Sequence, residues 1–251
     1  MHIDSIYLIV ALGAIFAGFV QGLSGFAFGM VAMSFWAWTI DPKLSVAMVV
    51  FGALTGQVLA AITVRRKSNL PMLLPFIIGG IIGIPIGVFL LPHIDIITFR
   101  VIFGLLLVTW CPMMLMTSRL PSIKSGGCIA DSIVGTIGGI MGGLGGFAGT
   151  VPTLWCTLRG YDKDTQRSII QNFNLAVLMV TMATYISTGI VTREMIPMFA
   201  IVFPAMLIPT LIGTRLYFRI SDSVFKKTVL ILLSISGVTL LVSSLPQLIW
   251  K

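Results

Sequence analysis

The chain has 251 residues, of which 57% are hydrophobic and only 10% carry a charged side chain. A soluble domain carries roughly 25% charged residues, so this composition excludes an ordinary soluble globular protein. The net charge is +8. We interpret the basic excess as a signal of membrane topology rather than of nucleic-acid binding, because short cytoplasmic loops of membrane proteins collect Lys and Arg.

Ten apolar segments follow one another along the chain. The first lacks the positive stretch and small-residue cleavage site of a secretory signal, so we interpret it as a retained helix. Six segments contain 21 residues or more, and a helix of that length crosses a hydrocarbon core of roughly 30 Å. The pattern predicts an all-α polytopic membrane protein. The segments are 5–21, 26–40, 43–64, 70–91, 96–117, 127–142, 147–158, 165–188, 194–214 and 223–245.

A glycine-rich phrase occurs twice, as GLSGFAFG at 22–29 and as GLGGFAGT at 143–150. Each phrase joins a pair of shorter segments. With an offset of 121 residues, seven identities lie between positions 18 and 41 and their counterparts. We therefore predict two five-segment repeats, 1–118 and 127–251, joined by a basic linker at 119–126. The identities are Gly18/Gly139, Gly22/Gly143, Leu23/Leu144, Gly25/Gly146, Phe26/Phe147, Ala27/Ala148 and Asp41/Asp162.

The basic residues predict the topology. Twelve of the sixteen Lys and Arg residues fall in four connections, which the positive-inside rule places in the cytoplasm. Both termini are then outside, and an odd number of segments per half turns the second repeat upside down, as in many secondary transporters. The topology is the same whether each pair of shorter segments crosses the membrane twice or enters it and leaves on the same side. The twelve residues are Arg65, Arg66, Lys67, Arg119, Lys124, Arg159, Lys163, Arg167, Arg215, Arg219, Lys226 and Lys227.

The glycine phrases are candidate anion sites. Irregular backbone within a membrane must be buried in protein or line a wet cavity. Glycine permits a positive φ, and a helix that restarts near Phe26 or Phe147 presents unpaired N–H groups at its positive end. The two phrases would bring two such helix N-termini together near the midplane of the membrane. The alternative is close helix packing through Gly18/Gly22 and Gly139/Gly143. The candidate residues are Gly22, Ser24, Gly25, Phe26, Gly143, Gly145, Gly146, Phe147 and Thr150.

Three amides in the run QRSIIQNFNLAV extend this candidate site. Gln171, Asn172 and Asn174 are expensive in a bilayer unless they face protein or water. Substrate binding and ordinary interhelical hydrogen bonding explain them equally well. For Thr55 and Gln57 we favour interhelical hydrogen bonding.

Nothing in the sequence predicts a metal, a cofactor or an enzyme. The three cysteines, Cys111, Cys128 and Cys156, have no paired spacing, and His2 and His93 are far apart. His, acidic residues and Cys are not clustered at catalytic spacing. The acidic residues lie near segment ends, so no carboxylate is placed to relay a proton at mid-membrane.

The paired phrases GLSGFAFG and GLGGFAGTVP, each opening one half of the chain, resemble the TauE/SafE sulfite exporter family. Where that family usually has a proline after the first phrase, this chain has Met30, Val31 and Ala32. The resemblance implies a bacterial inner-membrane permease, most simply an exporter, for sulfite, organosulfonates or related small oxyanions. A passive anion channel and an uptake permease for a small carboxylate are the alternatives. The partners expected are the anion and the bilayer, and the oligomeric state is left open.

Overall fold

The computed structural model describes residues 3–63, 70–117, 123, 125–217 and 222–249, and over these residues the protein is all-α, as predicted. Short 3-10 turns at Leu91–His93 and Arg193–Met195 precede α5 and α9. The helices are α1 (Ile3–Ser24), α2 (Phe28–Trp36), α3 (Pro42–Thr63), α4 (Leu70–Leu90), α5 (Ile96–Met116), α6 (Gly127–Gly145), α7 (Thr150–Leu158), α8 (Lys163–Ser187), α9 (Ile196–Tyr217) and α10 (Asp222–Ile249).

Eight of the described helices are long and apolar enough to cross a membrane, which makes the protein a multi-pass membrane protein. The exceptions are α2 and α7, of nine residues each. At 1.5 Å per residue they are about 14 Å long, half of a hydrocarbon core. We predicted that α1 and α6 would be short as well, but they have 22 and 19 residues. Both stay helical through the first glycines of the phrase and end only at its later glycines.

The outer surface of the helices is apolar. Ile62, Phe89 and Ile129 are 78%, 69% and 77% exposed, and similar residues are exposed on most of the long helices. A soluble monomer rarely exposes contiguous apolar surface on this scale. In the hydrocarbon core of a membrane the same surface contacts lipid tails without a free-energy penalty. The exposed apolar side chains therefore fit the membrane location that the composition predicts.

The helices of the two halves pack in a reciprocal pattern. α1 packs along α9 and α6 packs along α4. α5 pairs with α10, and α3 with α8. Under the two repeats that the sequence predicts, each of these pairs joins a helix of one repeat to a helix of the other.

Small residues allow these close helix pairs. A Cβ atom placed on Gly143 would lie 2.7 Å from the carbonyl oxygen of Ile84, and one placed on Gly18 would lie 2.8 Å from the carbonyl oxygen of Met206. Gly22 likewise faces the backbone of α9 at Thr210. Gly18, Gly22 and Gly143 thus have the packing role that small-xxx-small spacing predicts.

Part of the basic pattern used to predict topology lies outside the described residues: Arg65, Arg66, Lys67, Arg119, Lys124 and Arg219. Of the predicted linker 119–126, the structure describes residues 123, 125 and 126. The sidedness of the chain and the boundary between the repeats stay predictions.

Candidate functional site

The first break separates α1 from α2 at residues 25–27. Gly25 has φ +84°, which is left-handed backbone that glycine adopts without a Cβ clash. Its N–H donates to the Gln21 carbonyl oxygen at 2.7 Å. The Ser24 hydroxyl oxygen accepts from the Phe26 and Ala27 N–H groups at 3.4 and 3.2 Å. This turn keeps residues 25–27 non-helical. α2 then begins at Phe28, two residues later than predicted.

The second break, residues 146–149, repeats this geometry between α6 and α7. Gly146 has φ +72°. Its N–H donates to Gly142 O at 2.9 Å, the single bond by which a left-handed residue commonly closes a helix. The Phe147 N–H donates to Met141 O at 3.2 Å. α7 then begins at Thr150, three residues later than predicted.

The N-termini of α2 and α7 have no side-chain cap. Their N-cap residues are Ala27 and Gly149, and neither supplies a side-chain hydrogen bond. The first N–H groups of a helix have no partner within the helix and carry its partial positive charge. The start of α2 fits the predicted anion site. At α7 the Thr150 N–H already donates to the Phe147 carbonyl oxygen at 3.1 Å, and Pro152 has no N–H to offer. Anion binding at these termini stays a prediction.

The two breaks meet inside the protein. A Cβ atom placed on Gly29, at the start of α2, would lie 3.1 Å from the Phe147 ring and 3.2 Å from the Gly146 carbonyl oxygen. One placed on Gly149, at the start of α7, would lie 2.9 Å from Cβ of Phe26. Elements 121 residues apart in sequence are thus in contact.

Two of the three predicted amides face the breaks. Gln171 and Asn174 are each 2% exposed. A Cβ atom on Gly25 would lie 2.7 Å from Gln171 Nε2, and one on Gly149 would lie 2.6 Å from Asn174 Nδ2. The oxygens Oε1 of Gln171 and Oδ1 of Asn174 are buried without a hydrogen-bond partner. Gln21 Oε1 and Gln57 Oε1 share this property. As amide oxygens accept hydrogen bonds, only a donor such as water or a protonated ligand, or else a cation, can pair with them.

The third amide, Asn172, does not belong to this group. It is partly buried, and its Nδ2 atom donates to the Ser168 hydroxyl at 3.4 Å. Residues 171 and 174 share one face of α8, whereas residue 172 is turned about 100° away from residue 171.

Of the two polar residues of α3 predicted to bond between helices, Gln57 reaches another element and Thr55 does not. Thr55 donates to the Phe51 carbonyl oxygen of its own helix at 2.8 Å. Gln57 donates through Nε2 to the Gly25 carbonyl oxygen at 2.7 Å. Gln57, Gln21 and Gln171 all line a small cavity of about 10 Å³ beside Gly25. A space of that size holds one water molecule at most.

The other predicted residues support the breaks. Gly145 is buried against the ring of Phe147. The hydroxyl of Thr150 donates to the Phe147 carbonyl oxygen. The Thr150 carbonyl oxygen in turn accepts from Trp110 Nε1 at 2.9 Å. These contacts fix the start of α7 without facing the amides of α8.

A larger cavity of about 120 Å³ opens beside the first break. Ser24 and Phe26, both predicted site residues, line it. Sequence reasoning missed its other polar lining: Trp110, Thr153, Lys163, Gln166 and Arg167. We attributed Lys163 and Arg167 to topology alone. The available signal was spacing, because Arg167, Gln171 and Asn174 are at positions i, i+4 and i+7 and share one face of a helix.

The start of α8 is fixed by Asp162, whose carboxylate accepts from the Asp164 and Thr165 N–H groups at 3.1 and 3.0 Å. Hydrogen bonding by the side chain and backbone of Thr165 lowers the pKa of the Asp162 carboxyl group. This cap orients the first turns of α8, and with them Arg167, whose Nη2 atom donates to the Gly22 carbonyl oxygen at 3.3 Å.

Within the described part of the chain, no three His, Cys, Asp or Glu residues lie close enough together to hold a metal ion. Asp131 lies in the second turn of α6, where its carboxylate accepts from Trp155 Nε1 at 2.7 Å.

Comparison with protein families decides the family. The model of the family described as "Sulfite exporter TauE/SafE" matches residues 10–240. The chain belongs to the TauE/SafE family. The match runs from within α1 to within α10 and includes both breaks, so this TauE/SafE protein is a member of a membrane transporter family over nearly its whole length. Comparisons with curated proteins and with solved structures gave no match.

Proposed function

We propose that this TauE/SafE protein is an inner-membrane permease that exports sulfite, organosulfonates or related small oxyanions, and that it holds the anion where the two glycine breaks meet. The observation that carries the proposal is the contact between the breaks. The start of α2 contacts the second break at Gly146 and Phe147, and the start of α7 contacts the first break at Phe26. Backbone N–H groups there can bind an oxyanion without a buried carboxylate or metal.

The two amides of α8 supply the rest of the proposed site. Gln171 lies against the first break and Asn174 against the second. An amide offers both a donor and an acceptor, so it can bind sulfonate oxygens and also the proton of a protonated oxyanion such as bisulfite. Both side chains are nearly fully buried, which strengthens each hydrogen bond and makes it costly to leave unmade.

The reciprocal packing supports alternating access. If the second repeat is inverted, the pairs α1–α9 and α6–α4 are two copies of one interface facing opposite sides of the membrane. Rocking one set of helices against the other would then expose the breaks first to one side and then to the other, as in other inverted-repeat transporters.

The direct test is flux of radiolabelled sulfite and ethanesulfonate in proteoliposomes that contain the purified full chain. We expect a flux that saturates with concentration and that is stimulated by unlabelled anion on the opposite side. Flux that rises linearly and ignores trans substrate identifies a passive channel and contradicts a carrier. Absence of anion flux under both conditions contradicts the whole proposal.

Variants of α8 test the site within that assay. Gln171→Leu and Asn174→Leu each remove a hydrogen bond to a charged ligand, which contributes about 1.5–3 kcal/mol. We therefore expect the half-saturating concentration to rise about tenfold or more. Asn172→Leu is the matched control, because it makes the same chemical change on another face of the same helix. Equal effects of all three substitutions would contradict the proposed site.

A further inference from the structure

The small cavity beside Gly25 is lined by amide oxygens that have no hydrogen-bond partner. It measures about 10 Å³ and lies between α1, α3, α8 and α9. Gln21, Gln57 and Gln171 reach it from three different helices and are 3%, 2% and 2% exposed. The Oε1 atom of each is buried without a partner. Three such acceptors around one cavity require an explanation, because buried polar atoms of folded proteins are nearly always paired.

The nitrogens of two of these amides fix the orientation of the side chains. Gln21 Nε2 donates to the Ala53 carbonyl oxygen at 2.9 Å, and Gln57 Nε2 donates to the Gly25 carbonyl oxygen at 2.7 Å. Exchanging nitrogen and oxygen in either amide would bring two acceptors together. The unpartnered atoms of Gln21 and Gln57 are therefore oxygens, and each of them requires a donor or a positive charge.

The other side chains around the cavity supply few protons. The hydroxyls of Thr210 and Thr214 also belong to its lining, but they donate to the carbonyl oxygens of Met206 and Thr210 at 2.7 and 2.9 Å. A water molecule is the largest guest that the space holds, and it has two protons for three amide oxygens. A cation pairs with all three oxygens at once.

The end of α1 adds negative charge at the same place. Gly22 and Gly25 line the cavity, and the last carbonyl groups of a helix carry its partial negative charge. The Gly22 carbonyl oxygen accepts from Arg167, which lines the larger cavity and not this one. The Gly25 carbonyl oxygen accepts from Gln57. Each carbonyl oxygen has a second lone pair, so both can also contact a cation.

The equivalent place at the second break is apolar. Gly22 packs against the α9 backbone at Thr210 and Thr214. Gly143 packs in the same way against the α4 backbone at Ile84 and Val88, so these two residues occupy the places of the threonines. At the offset of 121 residues, the three glutamines are also replaced by residues without a polar side chain: Gly142, Leu178 and Val50. The polar cluster therefore belongs to the first break alone and does not follow from the repeated fold.

We propose that this cavity binds one dehydrated alkali-metal cation, Na⁺ or K⁺, through the oxygens of Gln21, Gln57 and Gln171 and the carbonyl end of α1. Membrane proteins bind such ions with neutral oxygens and helix C-termini that replace the hydration shell. Calcium and magnesium sites use carboxylates, and none lines this cavity.

The ion is a structural one. It joins α1 and α3 to α8 and α9, and its ligands bury it on all sides, so it stays bound while an anion crosses and supplies no driving force. Gln171 binds it through Oε1, which leaves Nε2 facing Gly25 and the first break. The proposal does not depend on the proposed transport function, because it concerns a bound ion in the resting protein.

The test is thermal unfolding of the purified full chain in detergent, in sodium, potassium or choline chloride of equal ionic strength and without any anionic substrate. A ligand of the folded state raises the unfolding temperature with the logarithm of its concentration, and choline is too large for the cavity. We expect a rise of several degrees in sodium or potassium chloride over choline chloride, and the larger rise identifies the ion. Equal unfolding temperatures in all three salts would overturn the proposal, as would a still larger rise in calcium chloride.

Two substitutions distinguish an ion site from ordinary packing. Gln21→Met keeps the length of the side chain and removes one ligand oxygen, so it should lose most of the rise produced by the alkali salt, whatever its unfolding temperature in choline chloride. Gln247→Met makes the same change at an exposed residue of α10 outside the cavity and should keep the full rise. An undiminished rise in a folded Gln21→Met protein would overturn the site.

A binding measurement on the wild-type protein decides the matter if Gln21→Met cannot be purified. Equilibrium dialysis with radiolabelled sodium, or with rubidium in place of potassium, should show one displaceable ion per chain. Absence of bound ion in both dialyses would overturn the proposal, and saturable sulfite flux in proteoliposomes would leave the proposed function standing.

Discussion

The rings of Phe103 and Phe147 stack with their centroids 5.2 Å apart and their planes 15° from parallel. Phe26, the counterpart of Phe147 in the first break, packs edge-on against Trp110 with centroids 5.7 Å apart. Phe103 and Trp110 are seven residues apart on α5 and lie on one face of it. Trp110 also donates to the carbonyl oxygen of Thr150 at 2.9 Å. One helix thus contacts both breaks, and a shift of α5 would move both.

The positive φ angles of Gly25 and Gly146 predict that neither tolerates a side chain. In Gly25→Ala the new Cβ would lie 2.7 Å from Gln171 Nε2, and in Gly146→Ala it would lie 2.6 Å from Val49 Cγ1. Left-handed backbone adds roughly 1–2 kcal/mol of strain for an L-residue. We expect both variants to lose most anion flux in proteoliposomes.

Gly189 is the control for this pair, because it has φ +72° but nothing within 4 Å of an added Cβ. Gly189→Ala carries the same backbone strain without the contact and should keep its flux. Wild-type flux in the Gly25 and Gly146 variants would show that the glycine phrases serve helix packing and not anion binding.

If the second repeat is inverted, as the sequence predicts, equivalent positions of the two repeats face opposite sides of the membrane. Lys43 and Asp164 are 121 residues apart, hold the same place at the starts of α3 and α8, and are both exposed. In a background without Cys111, Cys128 and Cys156, Lys43→Cys should react with an impermeant maleimide in intact cells. Asp164→Cys should react only after permeabilisation. The same accessibility at both positions would rule out inversion.

Arg100 predicts a stability effect at the far end of α2. Its Nε and Nη2 atoms donate to the carbonyl oxygens of Ala37 and Trp38 at 2.7 and 2.8 Å, where a cation also offsets the negative end of the helix. Arg100→Met leaves these carbonyls unpaired, at a loss of about 2 kcal/mol or more. Thermal unfolding in detergent should shift down by several degrees. Arg193→Met, at an exposed residue, should not shift it.

The positions of the acidic residues predict voltage-driven transport. The carboxylates whose side chains the structure describes lie near helix ends or in connections, which leaves no mid-membrane carboxylate among them to carry a coupling proton. A monoanion should then leave the cell down its electrochemical gradient. An inside-negative potential favours expulsion by about 2.3 kcal/mol per charge per 100 mV, or about fiftyfold.

The measurement is net flux in proteoliposomes whose potential is clamped with potassium and valinomycin. Flux should follow the clamped potential and be unchanged by pH or sodium gradients. Uphill movement driven by either gradient at zero potential would refute an uncoupled mechanism.

Periodicity and composition predicted the helical class, the six longest segments and the place of both breaks. They misplaced where the helices next to the breaks end. Gly22 and Gly143 are breakers by propensity, but here they stay helical, and α9 and α4 pack against them too closely for a side chain. Tertiary packing sets where α1 and α6 end, and the local sequence around these glycines does not reveal that packing.

The candidate site was predicted in part for the same reason. The glycines of the breaks and the polar run of α8 were visible in the sequence, and two of its three amides face the breaks. Asn172 was included because adjacency in sequence does not show which helix face a residue occupies. Arg167 was left out because a basic residue near a helix end is already explained by topology.

The pairing of α1 with α9 has a consequence during synthesis. About 170 residues separate the end of α1 from the start of α9. At 5–20 residues per second, the ribosome takes on the order of ten to thirty seconds to make them. During that delay the glycine face of α1 at Gly18 and Gly22 lacks its packing partner in the membrane. We therefore expect the inserted α1 to be accessible to membrane chaperones and proteases until α9 is made.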